Sequence, residues 1–206
     1  MTGDKHYARP FGFRAHGRGF TVMELLVVVL IFALGSLAVS ATYINFTRLH
    51  RRAANAEALG EELRFVMELL VRAARNNTVE YPSLPGALSL PLEQLDLKNT
   101  AGGTTSFTKL PSTDPACAGL GADCLALSFD GGATWTPVSG KNIQIDRFDV
   151  YVTPRKNPFQ SVGLSYDNDI QPRITFVIDA RHLAKSPREI PSLSLQTTVS
   201  SRVYLR

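Results

Sequence analysis

Three regimes of hydrophobic and polar patterning follow one another along the chain. From Leu25 to Thr47 there are 23 consecutive uncharged residues, and Glu24 is the only charge between Arg18 and Arg48. A helix over this stretch covers about 35 Å at about 1.5 Å per residue, enough for a hydrocarbon core of about 30 Å. From Leu49 to Arg75 apolar or small residues recur at Leu49, Ala53, Ala56, Gly60, Leu63, Met67, Leu70 and Ala74, while Arg51, Arg52, Glu57, Glu61, Arg64, Glu68, Arg72 and Arg75 occupy the other faces. The spacings of four and three describe one helical stripe, so this segment rests on a domain through a single face, and Glu68 and Arg72 stand as a favourable i,i+4 pair. Asn76, Asn77 and Pro82 end the pattern, and a helix is expected over about 20–75.

Beyond residue 75 Pro, Gly, Ser and Thr break the chain into short β-type runs. Leu125–Phe129, Thr134–Val138, Ile143–Val152 and Ile174–Ile178 read as strands. The clearest strand comes last: Leu193, Leu195, Thr197, Val199, Ser201, Val203 and Leu205 can share a core face, with Gln196, Thr198, Ser200, Arg202, Tyr204 and Arg206 outward. Between Ile145 and Phe148 the alternation slips by one residue, which predicts a bulge near Arg147. Residues 82–116 are weakly patterned and are expected to form a long variable connection with some local structure. The short connections favour antiparallel pairing, so the expected fold class is α+β: about five strands in a head over residues 76–206, packed on the second half of the helix.

Charge changes the picture only at one end. The 206 residues carry 22 Lys+Arg and 18 Asp+Glu, a net +4, of which residues 1–19 supply +3 through Lys5, Arg9, Arg14 and Arg18 against Asp4. The remainder is almost neutral, so the basicity is a topology signal: a basic leader stays in the cytoplasm and the rest lies outside. Glu24 is the anomaly, since a carboxylate beside an apolar helix costs a few kcal/mol in lipid unless it snorkels or is paired. A cut after Gly19 would turn Phe20 into a free amine, able to neutralise such a carboxylate in a neighbouring copy.

Gly19, Phe20, Thr21 and Glu24, with the basic leader before them and the apolar helix after them, resemble the cleavage and methylation signature of type IV prepilins and type II secretion pseudopilins. The resemblance covers about the first 45 residues. It implies a membrane peptidase that cuts after Gly19 and methylates Phe20, and a role for Glu24 in assembly against the N-terminal amine of an adjacent subunit. It divides the chain into a cleaved cytoplasmic leader (1–19), a transmembrane and polymerisation helix (20–47), its amphipathic continuation (48–75) and a β-rich head (76–206). The implied protein is a structural subunit, a minor pilin or pseudopilin of a type IV pilus or type II secretion filament. It is anchored in the inner membrane with its head outside, and its partners are other pilin subunits, the peptidase and methylase, and an assembly ATPase with its membrane platform. The resemblance implies a pilin-like fold; the lack of a catalytic motif reads as no enzymatic activity, and no cofactor is expected. Many members carry a proline in the second half of the anchor. Here none occurs between Pro10 and Pro82, and Gly35–Ser36 is the only soft point, which speaks against local melting of the helix.

Other readings remain open on the residues alone. Leu25–Ala41 could serve as the apolar core of a secretory signal, with cleavage near Ala38, Ser40 and Ala41 releasing a soluble extracytoplasmic protein, although Glu24 would then be unexplained. Arg173, Arg181, His182, Lys185, Arg188, Arg202 and Arg206 gather toward the C-terminus. Arg181, Arg188 and Arg202 are the candidate nucleic-acid contacts of a DNA-binding minor pilin, with Asp179 and Glu189 interrupting the run. The segment Ser128–Trp135 matches the Asp-box pattern S-x-D-x-G-x-T-W of sialidase propellers, but occurs once, and its physical reading is a hairpin turn anchored by Trp135. Cys117 and Cys124 are a poor zinc site and, in an exported head, a candidate disulfide. Asp167, Asn168 and Asp169 lack the spaced oxygen set of an EF-hand and read as a turn, so no metal site is assigned. No G-x-S-x-G, H-E-x-x-H or P-loop motif occurs, and a secreted hydrolase would need a cleft with converging polar groups.

Overall fold

The computed structural model describes residues 19–81, 88–159, 161–162, 165–166, 170–184 and 186–202. The leader cations Lys5, Arg9, Arg14 and Arg18, the Asp167–Asp169 turn, Lys185 and the strand positions Val203, Tyr204, Leu205 and Arg206 lie outside the described residues. The helix α1 (Val22–Asn76) precedes β1 (Thr78–Val79), β2 (Gln94–Lys98), β3 (Thr104–Leu110), β4 (Cys124–Ser128), β5 (Thr136–Pro137), β6 (Ile143–Thr153), β7 (Ser161–Val162), β8 (Ser165–Tyr166), β9 (Arg173–His182), a 3₁₀ turn (Pro187–Glu189) and β10 (Ser192–Ser200). The chain separates into two compact units, Met1–Phe46 and Thr47–Arg206.

In the first unit the described residues are helical from Val22 onward, and every side chain from Gly19 to Phe46 is exposed. The helix runs through Gly35 and Ser36 without a break. Two of its hydroxyls bond back to the helix's own backbone: Ser40 Oγ donates to the Ser36 carbonyl at 2.8 Å and Thr42 Oγ1 to the Ala38 carbonyl at 2.9 Å. This is how a helix in hydrocarbon accommodates Ser and Thr, because no water is there to bond them.

The second unit packs the remainder of α1 against antiparallel sheets. Leu59, Leu63, Val66, Met67, Leu70 and Ala74 are buried. The expected stripe is corrected at its start, where Leu49, Ala53 and Ala56 are exposed. Helical periodicity fixes which residues share a face, whereas burial begins only where the sheets reach the helix. The main core joins those helical residues to Leu95, Leu97, Phe107 and Leu125 of a five-stranded sheet ordered β1-β2-β3-β4-β5. It also takes in Ile145, Val150, Val152, Ile174, Phe176 and Ile178 of a three-stranded sheet ordered β10-β9-β6. Every strand pair is antiparallel, including the short β7–β8 ribbon.

The register of β6 on β9 shifts between Ile145 and Arg147, and Asp146 and Arg147 are consecutive exposed residues there. This is the bulge that the slipped alternation predicts. The connection expected over 82–116 is corrected: it contains β2 and β3, central strands of the larger sheet. β3 hid in the sequence because its buried positions include Ser106 and Thr108 beside Phe107, and Thr108 Oγ1 is satisfied by donating to the Glu93 carbonyl at 3.1 Å. In β10 the expected alternation holds through Ser200, but Leu193, Leu195 and Thr197 are only half-buried.

Candidate functional site

At the start of α1 the local chemistry is that of a helix cap. The Glu24 N–H donates to Thr21 Oγ1 at 3.2 Å, and the Leu25 N–H to the Thr21 carbonyl at 3.1 Å. Thr21 is thus the N-cap and Glu24 stands at the third helical position, the T-x-x-E arrangement of a capping box. A carboxylate in the first turn is also favoured by the positive end of the helix dipole. Gly19 has no heavy atom within 4 Å of the position a Cβ would occupy, and Phe20 is 76% exposed. Nothing among the described residues covers the bond after Gly19. Among the described residues no ion pair to Glu24 is present.

The helix that follows is long and apolar enough to cross a membrane, and its most apolar window is entirely unburied. Val27, Leu30, Ile31, Leu34 and Leu37 are between 47% and 68% exposed. An isolated helix exposing this much apolar surface requires lipid or other helices around it.

The candidate residues of the head take separate places. Cys117 and Cys124 form a disulfide with their Cα atoms 5.8 Å apart, and with Ala126, Leu110, Leu120 and Trp135 they build a second, smaller core. The Ser128–Trp135 segment is the expected hairpin turn. Ser128 Oγ accepts the Gly132 N–H at 2.8 Å, and Asp130 accepts from the Thr134 N–H at 2.9 Å and from Thr134 Oγ1 at 2.6 Å. Hydrogen bonds from the Ser128 hydroxyl, then from the Thr134 side chain and N–H, hold the Asp130 carboxyl far below the usual carboxylate range. Gly131 and Gly132 adopt φ of 71° and 99°, which the turn requires. The Ser128, Asp130 and Thr134 side chains are all engaged within the turn, so it is a structural staple.

Arg181 pairs with Asp146 at 3.4 Å, beside the Lys109–Asp123 pair at 3.2 Å. Arg188 lies in the 3₁₀ turn, and Arg202 follows β10, its N–H donating to the Arg75 carbonyl at 3.0 Å. In the β9–β10 ladder Arg181 is opposite Ser192 and Arg173 opposite Ser200, so Arg181 and Arg202 stand at opposite ends, roughly 25 Å apart or more at about 3.4 Å per residue. The three arginines are not assembled into one patch, and Arg181 lies among carboxylates that oppose an anion.

A crevice of about 220 Å³ is lined by Glu80, Tyr81, Lys98, Asn157 and Phe159 among others. Burial pushes the Tyr81 phenol up to about 12, and its hydroxyl donates to the Pro154 carbonyl at 3.1 Å, so it stays neutral and occupied.

Residues 14–40 match the family model of the prokaryotic N-terminal methylation motif. The match spans Gly19, Phe20, Thr21 and Glu24 together with most of the apolar helix, and it supports a type IV prepilin-like signature. A membrane-anchored, pilin-like subunit fits both this signature and the exposed apolar helix. No curated protein and no solved structure matches the chain.

Proposed function

We propose that the chain is a structural subunit of a type IV pilus or type II secretion filament, a minor pilin or pseudopilin without catalytic activity of its own. Its leader remains in the cytoplasm, the prepilin peptidase cuts after Gly19, and the new amine of Phe20 is methylated. The mature helix sits in the inner membrane with the head outside, until an assembly ATPase and its platform draw the subunit into the filament.

The observation that carries this reading is the coincidence, within residues 14–40, of the methylation motif with an exposed capped helix start. The helix serves two environments in turn, lipid and then other copies of itself. Glu24 gives the second environment its register: an adjacent subunit brings the Phe20 amine to the carboxylate, and each charge removes the solvation cost of the other. Thr21 and the helix dipole hold Glu24 in the first turn, so the carboxylate is in place before its partner arrives.

The test is Glu24→Ala in cells carrying the cognate assembly machinery. Cleavage and membrane insertion should proceed, while incorporation into sheared filaments falls more than about tenfold, since an unpaired amine in an apolar filament core costs a few kcal/mol. Undiminished incorporation of the Ala variant would refute the pairing role, and a chain never found in filaments would refute the reading as a whole.

A further inference from the structure

β10 is the outer strand of the three-stranded sheet, and among the described residues no strand lies on its far side. Its nine residues, Ser192 to Ser200, contain no charge, no proline and no glycine, and they pair with β9 without a register shift. Soluble proteins ordinarily blunt such an edge with charges, prolines, bulges or shortness, because its free N–H and C=O groups are a template for another strand. The other edges of this head are blunted in those ways. β1 and β5 are two residues long, and β5 includes Pro137. β6 carries Asp146, Arg147, Asp149 and a bulge, and Leu92 exchanges hydrogen bonds with Val150 at 2.8 and 3.0 Å. Among the described residues β10 alone is a long, uncharged edge without a register shift. Its inward residues Leu193 and Leu195 are half-buried and packed on the main core, so an added strand would complete their cover.

We propose that this edge binds the same strand of a second copy, antiparallel, to make one continuous six-stranded sheet. A second copy fits because β10 is self-complementary. Residues directly opposite in an antiparallel pair point to the same face, so Leu193, Leu195, Thr197 and Val199 must meet one another. Full overlap then places Gln196 opposite its own copy, Leu193 opposite Val199, Leu195 opposite Thr197 and Ser194 opposite Thr198. No pair brings like charges together. The two-fold axis is normal to the sheet, so the helical segments beneath the two sheets run in opposite senses. Successive subunits that share one membrane direction are not related in this way. The contact therefore joins heads of different assemblies, and it stands or falls separately from the filament reading.

Cysteine placement in the full chain, held in detergent micelles under mild oxidation, reads the register directly. Gln196→Cys should give a covalent dimer, as should a mixture of Ser194→Cys and Thr198→Cys chains. Thr198→Cys alone should not, because its two copies would lie about 14 Å apart along the strands. Gln196→Lys, which sets two ammonium groups face to face, should abolish the association while the Trp135 fluorescence melt stays unchanged. The proposal is overturned by a Gln196→Cys chain that stays monomeric, by Thr198→Cys alone cross-linking as readily, or by dimers that persist in the folded Gln196→Lys chain.

Discussion

Leu49 and Leu63 lie on the same helical stripe, yet the structure assigns them opposite energetic weight. Leu63 is 0% exposed and belongs to the main core, whereas Leu49 is 66% exposed. Truncating Leu63 to Ala removes fully buried methyl and methylene groups, a transfer loss of about 2 kcal/mol, and leaves a cavity that raises the total to about 3–4 kcal/mol. Leu49→Ala removes an exposed side chain and should change head stability by less than about 0.5 kcal/mol. For a unit of this size the Leu63 loss corresponds to a fall of about 10 °C in the melting midpoint. The chain has a single tryptophan, and Trp135 packs in the smaller core of the head, so its fluorescence follows head unfolding in the detergent-solubilised full chain without interference from the anchor. Equal effects of the two substitutions, or a Leu63→Ala cost below about 1 kcal/mol, would refute the placement of α1 in the core.

Two further predictions concern the head. Reducing the Cys117–Cys124 bridge, which spans seven positions of sequence, should lower stability by about 2.4 kcal/mol on the loop-entropy relation, read as a lower urea midpoint with dithiothreitol; an unchanged midpoint would show that the pair contributes nothing. Because the folded hairpin depresses the Asp130 carboxyl below its unfolded value, its contribution is fully present above the ordinary carboxylate range and is lost progressively as pH falls below about 4. Amide exchange at Thr134 should speed up over that window, after correction for intrinsic rates, and Asp130→Asn should remove the pH dependence.

The apolar half of α1 was legible because Leu25–Thr47 is an uninterrupted uncharged run, long and apolar enough to cross a membrane. The bulge in β6 was legible because two successive outward residues break a period of two. β3 was not, since a strand that buries Ser106 and Thr108 beside Phe107 carries little hydrophobic signal, and β2 offers only Leu95 and Leu97 in five residues. The extent of the helical stripe was missed for a different reason: Leu49, Ala53 and Ala56 keep the period but meet no sheet. At the N-terminus Gly19, Phe20 and Glu24 were visible as a motif, and the Thr21 cap adds the local reason for the carboxylate's position. The arginines show the opposite case, because proximity in sequence gave no hint that the β9–β10 hairpin would carry Arg181 and Arg202 to opposite ends.

The most direct test of the account is the mass of the N-terminal peptide of the chain recovered from cells that express a prepilin peptidase. A peptide that begins at Phe20 and carries one added methyl group is the predicted result. A chain that begins near Thr42, as a secretory signal would leave it, or one that still begins at Met1, would contradict the account.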